Sequence, residues 1–124
     1  YRLRFTDEKC TVDADATLLM RVFNNLIHNA IVHGGEGRYV DIELRKEARY
    51  ALVRVINYGR VIPKDELPHI FDKFYQADRS AGKENRGAGL GLGIAKRIVE
   101  MHDGAIGVGC GIDKTVFEVR LPLV

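Results

Sequence analysis

The chain predicts an α+β domain in which helices cover one face of a mixed β-sheet. Three observations carry this. Apolar residues recur at helical spacing from Ala16 to His33 and again beyond Gly93, while the segments between and after them alternate like strands. Four glycines stand at every second position between 87 and 93, directly before the second helical stretch. The order of elements is strand, long helix, two strands, polar loop, helix, two strands, which is that of a two-layer sandwich.

Tyr1–Phe5 opens the chain as a strand. Asp15 stands where an N-cap belongs, ahead of Ala16–Leu19. From there to His33, Leu19, Val22, Phe23, Leu26, Ile27 and Ala30 form one apolar arc, and Gly34–Gly35 ends the helix. Asn25, Asn29 and His33 lie one above another along the edge of that arc. Each carboxamide brings an acceptor and two donors, and an unsatisfied buried group costs about 1–3 kcal/mol. Two readings fit: the asparagines cap neighbouring loops, or they form a polar strip facing a ligand pocket.

Arg38–Arg45 alternates, with Val40, Ile42 and Leu44 inward and Asp41 and Glu43 outward. A turn at Lys46–Arg49 leads to Tyr50–Asn57, whose centre is apolar on both faces and therefore predicts an inner strand. Pro63 begins a short helical turn through Leu67. Ile70–Tyr75 packs three aromatics into six residues, and Asp78–Arg86 carries no apolar residue larger than Ala81. Such a segment cannot bury itself and predicts a mobile loop, either a plain solvated loop or a lid.

In the second helix, Leu90, Ile94, Ile98 and Met101 recur at helical spacing, with Lys96, Arg97 and Glu100 between them. His102–Gly104 forms a turn. Ala105–Cys110 and Thr115–Leu121 then read as an antiparallel pair, with Phe117, Val119 and Leu121 inward.

At 124 residues the chain is about one domain. Its 46% hydrophobic and 29% charged content is that of a soluble globular protein. A net charge of +2 from interspersed acids and bases gives no reason to expect nucleic acid as a partner. No apolar run reaches the length of a membrane span and no secretory leader is visible. Cys10 and Cys110 lack metal-ligand spacing, so two reduced thiols in a cytoplasmic domain are expected. The abrupt strand-like start suggests a piece of a longer protein.

A glycine loop opening into a helix aims free N–H groups and a positive dipole end at whatever lies in front, which suits phosphate. Two familiar phosphate motifs are excluded by spacing. In the dinucleotide fingerprint glycines occupy the first, third and sixth positions, and counting from Gly87 or Gly89 the sixth is Leu92 or Ile94. The Walker pattern needs Gly-Lys-Ser/Thr opening a helix, and Lys114–Thr115 follows Asp113 at the start of a strand.

Asn25–Leu26–Ile27–His28–Asn29–Ala30 resembles the N box of sensor histidine kinases. Ile70–Phe71–Asp72–Lys73–Phe74–Tyr75 resembles their F box, Gly87–Leu92 their second glycine box, and Thr115–Phe117 with Leu121–Pro122 their last strand. The resemblance spans nearly the whole chain in the right order, and the combination is specific. It implies the catalytic and ATP-binding domain of a two-component sensor kinase, with the Bergerat (GHKL) fold and a lid at about 72–88.

By that resemblance Asn29 would ligate Mg2+ carried on the triphosphate, with Asn25 beside it. The backbone of Gly87, Gly89 and Gly91 would cradle the phosphates, flanked by Ala88, Leu90 and Leu92. Asn57 would accept from the adenine amino group, and Gly59, Ile62 and Thr115 would also contact the nucleotide. Phe71 and Phe74 would anchor the lid, and Lys73, with Arg79 or Arg86, would neutralise the γ-phosphate, so that Asn25 and Lys73 stand as the catalytic pair. The resemblance further implies an upstream dimerisation and phosphoacceptor domain, a downstream response regulator, a cytoplasmic location on a membrane-anchored kinase, and a monomeric fragment without direct membrane contact. None of His28, His33, His69 and His102 is followed by the acidic residue and Thr-Pro run of the family's accepting histidine. The chain alone would therefore bind nucleotide with little autophosphorylation.

Three departures stand out. The first glycine box usually reads Asp-x-Gly-x-Gly and here reads Asn57–Tyr58–Gly59–Arg60–Val61. Asn57 still offers a carbonyl oxygen for the adenine amino group, but without charge and with an amide free to flip, a loss on the order of 1 kcal/mol. Val32 stands where a lysine is often found, with His33 next to it near phosphate. Arg86 replaces a further glycine. An Asn-x-Gly box followed by a non-glycine is similar to the sensors of glycopeptide-resistance systems. Two other readings stand beside this one: a degenerate docking module that has lost adenine recognition, and another member of the same superfamily, such as an anti-sigma serine kinase or a chaperone or topoisomerase ATPase. The ATPases place a glutamate where Asn25 stands, and an asparagine cannot act as a base for water, so slow ATP hydrolysis is expected.

Overall fold

The computed structural model describes residues 2–6, 9–33, 39–59, 61–71 and 86–124; for 2–6, 33 and 86–90 it describes the backbone alone. The elements are β1 (Arg2–Thr6), α1 (Ala16–His33), β2 (Tyr39–Glu47), β3 (Tyr50–Tyr58), a 3₁₀ turn (Leu67–His69), α2 (Arg86–Met101), β4 (Ala105–Gly111) and β5 (Lys114–Pro122). They form the predicted α+β sandwich. The sheet runs β1-β2-β3-β5-β4, with β1 parallel to β2 and every other pair antiparallel.

Alternation sets the inner face. Val53, Val55 and Asn57 of β3 lie opposite Val119, Phe117 and Thr115 of β5, and all of these point toward the helices. Val22, Leu26 and Ala30 of α1 meet Leu92, Ala95, Ile98 and Val99 of α2 and the strand residues Val40, Val55, Phe117, Val119 and Leu121 in one core. The central strand is apolar on both sides as expected, with Leu52 and Ile56 buried on the outer face. That face otherwise carries a charged ladder, in which Arg54 pairs with Glu118 at 2.9 Å and Glu43 at 3.9 Å. These pairs are partly exposed, and each contributes less than about 1 kcal/mol.

Asp15 caps α1 as its sequence position implies: its Oδ1 accepts from the Leu18 N–H at 3.1 Å. Four expectations need correction. The β2–β3 turn is tighter than predicted, because Glu47 still pairs with Tyr50, leaving only Ala48–Arg49 to reverse the chain with Ala48 at φ 55°. The turn after Pro63 continues into 3₁₀ geometry at Leu67–His69. The buried face of α2 is Leu92, Ala95, Ile98 and Val99, whereas Ile94 and Met101 are exposed at 39% and 64%; small Ala95 lets the helix lie close against its neighbours. Finally, α2 begins at Arg86, so the glycine run forms its first turns instead of a loop leading into it. Glycine costs about 1 kcal/mol per residue in a helix, so these turns are held by the packing of Leu92 and Ala95 further on.

Among the described residues no helix is long and apolar enough to cross a membrane.

Candidate functional site

Three buried polar residues stand out among the described residues: Asn29 and Asn57, each 3% exposed, and Thr115 at 1%. Among the described residues the carboxamides of Asn29 and Asn57 have no side-chain hydrogen-bond partner. Leaving such groups buried and unpaired costs about 1–3 kcal/mol each. A fold that keeps two of them has a ligand to satisfy them or gives up that stability for nothing.

The topology brings these groups to one end of the sandwich. Asn57 sits near the end of β3 and directly opposite Thr115, near the start of β5. Val12, ahead of α1, bridges to Leu123, and the Val124 N–H donates to the Thr11 carbonyl, so α1 starts at the opposite end of the strands. Leu19 and Phe23 of α1 accordingly share an apolar cavity of about 390 Å3 with Ala51 and Leu121. The 18 residues of α1 span about 27 Å and carry its later turns, with Asn29, to the Asn57–Thr115 end.

Two contacts orient α2. The Asp15 N–H donates to His102 Nε2 at 3.1 Å, and Asn25 Nδ2 donates to the Gly91 carbonyl at 3.2 Å. Ten residues along α1 match eleven back along α2, so the helices are antiparallel. Continued by one turn, the same course brings the level of Asn29 to the first turn of α2, where N–H groups have no intrahelical acceptor. A Cβ at Gly91 would lie 3.1 Å from Asn25 Cγ, so the glycine lets the two helices approach here without Asn25 having to shift. Its own N–H is inside the helix, so its contribution is close approach to Asn25.

The connection after β3 lies beside the Asn57–Thr115 pair. Gly59 takes φ 101°, which favours glycine, and its N–H donates to the Asp113 carbonyl at 2.8 Å in the β4–β5 turn. Val61 is not among the positive-φ residues, in keeping with the loss of the second glycine there. The Ile62 carbonyl accepts from the Cys110 thiol at 3.7 Å, and Cys110 Sγ lies 3.8 Å from Thr115 Oγ1. Phe71 is held edge-on against Phe117, with ring centroids 6.1 Å apart, and Lys96 Nζ lies 5.9 Å from its centre.

Leu92 is buried beneath the start of α2, and Arg86, Gly87, Ala88, Gly89 and Leu90 form its opening turns. Lys73, Phe74, Arg79 and residues 72–85 of the expected lid lie outside the described residues, as does the His33 side chain. Both cysteines are free, as expected. Cys110 was not expected at the site. The signal for it was the β4 alternation, which sets Cys110 on the inner face and, across the Ile112–Asp113 turn, opposite Thr115.

A family model described as "Histidine kinase-, DNA gyrase B-, and HSP90-like ATPase" matches residues 14–124. The sensor protein CzcS of Cupriavidus metallidurans is 39% identical over 114 residues, 91% of this chain and 24% of that protein. The sensor protein VanS of Enterococcus faecium is 39% identical over 115 residues, 93% of this chain and 30% of that protein. The chain thus spans about a quarter of the length of these relatives. Among solved structures, the mycobacterial sensor histidine kinase MprB superposes with a TM-score of 0.85 at 26% identity, covering 98% of this chain and 83% of that one.

Proposed function

The chain belongs to the histidine kinase-, DNA gyrase B- and HSP90-like ATPase family as the ATP-binding catalytic domain of a sensor histidine kinase, and from that membership we propose how its own residues hold Mg-ATP and present the γ-phosphate. What supports the reading is that Asn29 and Asn57, buried and without a side-chain partner among the described residues, lie toward the same end of the sandwich as the first turn of α2.

The adenine lies at Asn57 and Thr115, with the Asn57 carbonyl oxygen accepting from the exocyclic amino group and Gly59 and Ile62 bounding the edge of the ring. The phosphates lie against the first turn of α2, where the N–H groups from Arg86 to Gly89 and the positive dipole end meet their charge. The orphaned carboxamide of Asn29 fits Mg2+, a hard cation that takes oxygen ligands and is held largely by substrate phosphates. Bound there, Mg2+ would offset the charge on the phosphate oxygens. Asn25, fixed by its bond to Gly91, holds the crossing that keeps Asn29 in place. Phe71 packs against Phe117 at the start of the expected lid, and by family membership Lys73, Arg79 and Arg86 would neutralise the γ-phosphate. Phosphoryl transfer is mainly positioning and charge neutralisation, so these parts suffice once a nucleophile is docked.

In the whole protein the acceptor is a histidine on an upstream dimerisation domain, and the phosphoryl group passes on to a response regulator. The kinase is anchored in a membrane with this domain on the cytoplasmic side. The test is displacement of a fluorescent ATP analogue by ATP with Mg2+ present. Saturable displacement is expected, and no binding at millimolar nucleotide contradicts the reading.

A further inference from the structure

The geometry points to a second binding site, the apolar cavity between α1 and the sheet, and assigns it to a free medium-chain fatty acid with its tail along α1 and its carboxylate at the Lys46 end.

Size and shape come first. The cavity holds about 390 Å3. An apolar space of ~150 Å3 accepts one benzene, so this one has room for roughly 15 carbon atoms. Its length is set by the elements on either side. Leu19, Phe23 and Ile27 line it from successive turns of α1, covering about 12 Å of helix. Ala51, Val53 and Val55 line it from alternate positions of β3, covering about 13 Å of strand. An extended chain advances about 3.3–3.6 Å per three bonds, so roughly ten carbons run the length of the cavity. A space this long for its volume takes one alkyl chain lying between helix and strand.

The walls ask for no hydrogen bond, since among the described lining residues only Cys10 carries a polar atom in its side chain. Leu19, Phe23, Ile27 and Val53 are only half-buried although they face the space between the two layers. Their apolar surface is left partly wet, and an alkyl chain would cover it. The two ends differ. At one stand Ile27 and the fully buried Val55. At the other, Leu44 lines the cavity and Lys46 follows it on the same face of β2, directly opposite Ala51. Cys10 belongs to that end as well. Val12, close behind it, bridges to Leu123, and the Leu123 N–H donates to the Arg49 carbonyl in the β2–β3 turn. Lys46 and Lys9, the neighbour of Cys10, therefore bring two cations to the end where a chain would leave the cavity. A carboxylate suits that end, and a cationic head does not.

The experiment follows alkylation of Cys10 and Cys110 by iodoacetamide in the wild-type chain, read peptide by peptide in a mass spectrometer. Decanoate, hexanoate and decyltrimethylammonium are titrated below the concentrations at which they form micelles. Both thiols are free, and of the two only Cys10 lines the cavity, Cys110 lying against Ile62 and Thr115. Decanoate is expected to slow Cys10 at least fivefold and saturably, with Cys110 changing less than about twofold. Hexanoate should need at least tenfold more for the same protection, having lost four buried methylenes, and decyltrimethylammonium at least threefold more. Ala51→Leu and Val53→Phe fill the cavity and should abolish the protection while melting at or above the wild-type temperature. Unprotected Cys10, equal protection of both cysteines, or equal potency of either competitor with decanoate overturns the inference. So does full protection in a filled variant that melts as the wild type does. The wild-type titrations decide the matter if a filled variant fails to fold, and none of these outcomes bears on nucleotide binding.

Discussion

At the scale of single residues, this protein keeps polar groups where an ordinary core would be apolar. Asn29 sits on a helix face beside Leu26 and Ala30, and among the described residues nothing answers its carboxamide. If that group serves a ligand, removing it should not harm the fold: Asn29→Leu is expected to match or exceed wild-type stability in urea, by up to about 1–2 kcal/mol, while weakening Mg-ATP binding at least tenfold. A structural asparagine would give the reverse pattern. Asn57→Asp restores a charged acceptor and should tighten ATP binding about fivefold, on the order of 1 kcal/mol, with a loss of stability in the nucleotide-free state because a carboxylate is then buried alone. A calorimetric titration alongside a melt separates the two effects. The sequence made the asparagines legible through helical phase alone, since positions 25 and 29 fall at the edge of the apolar arc. The alternation of β4 put Cys110 on the inner face, but its contacts with Ile62 and Thr115 were not legible, because they depend on the strand register.

At the scale of elements, the exit from α2 is the most exacting joint. The Gly104 N–H bonds to the Val99 carbonyl at 3.0 Å and the Asp103 N–H to Glu100 at 3.1 Å, closing the helix with Asp103 at φ 60°. A Cβ on Gly104 would lie 2.3 Å from the Arg120 carbonyl oxygen, a backbone atom that cannot turn aside. Gly104→Ala should therefore cost about 2–3 kcal/mol, whereas Asp103→Gly, which relieves a left-handed residue, should gain about 0.5 kcal/mol; equilibrium unfolding of both variants checks this. His102 bonds through Nδ1 to the Ile98 carbonyl at 2.8 Å and through Nε2 to the Asp15 N–H, so it joins the end of α2 to the cap of α1. His102→Ala is expected to cost about 1 kcal/mol in the same measurement. Strand alternation and the Asp15 cap made most elements readable in the sequence. The face of α2 was misread because Ile94 and Met101 are large and apolar yet exposed, while small Ala95 carries the contact. The start of α2 was misread because glycines argue for a loop, and only the packing of Leu92 and Ala95 extends the helix back through them.

At the scale of the molecule, connectivity is what makes a site. The segment before α1 is pinned to the end of β5, α1 runs the length of the sheet, and α2 returns antiparallel to it. The C-terminal part of one helix, the open first turn of the other, and the Asn57–Thr115 pair therefore share one end of the sandwich, although they are distant in sequence. The far end holds an apolar cavity beside Leu19 and Phe23. The fold class was legible in the order of elements; the shared end was not, because it depends on the direction of each helix across the sheet. The most direct measurement of this account is isothermal titration of ATP into the wild-type chain and Asn29→Ala, each with and without Mg2+. The account predicts that Mg2+ strengthens binding to the wild type at least tenfold and that Asn29→Ala loses most of that gain while retaining a weaker, metal-independent affinity. Equal Mg2+ dependence in the two proteins would contradict it.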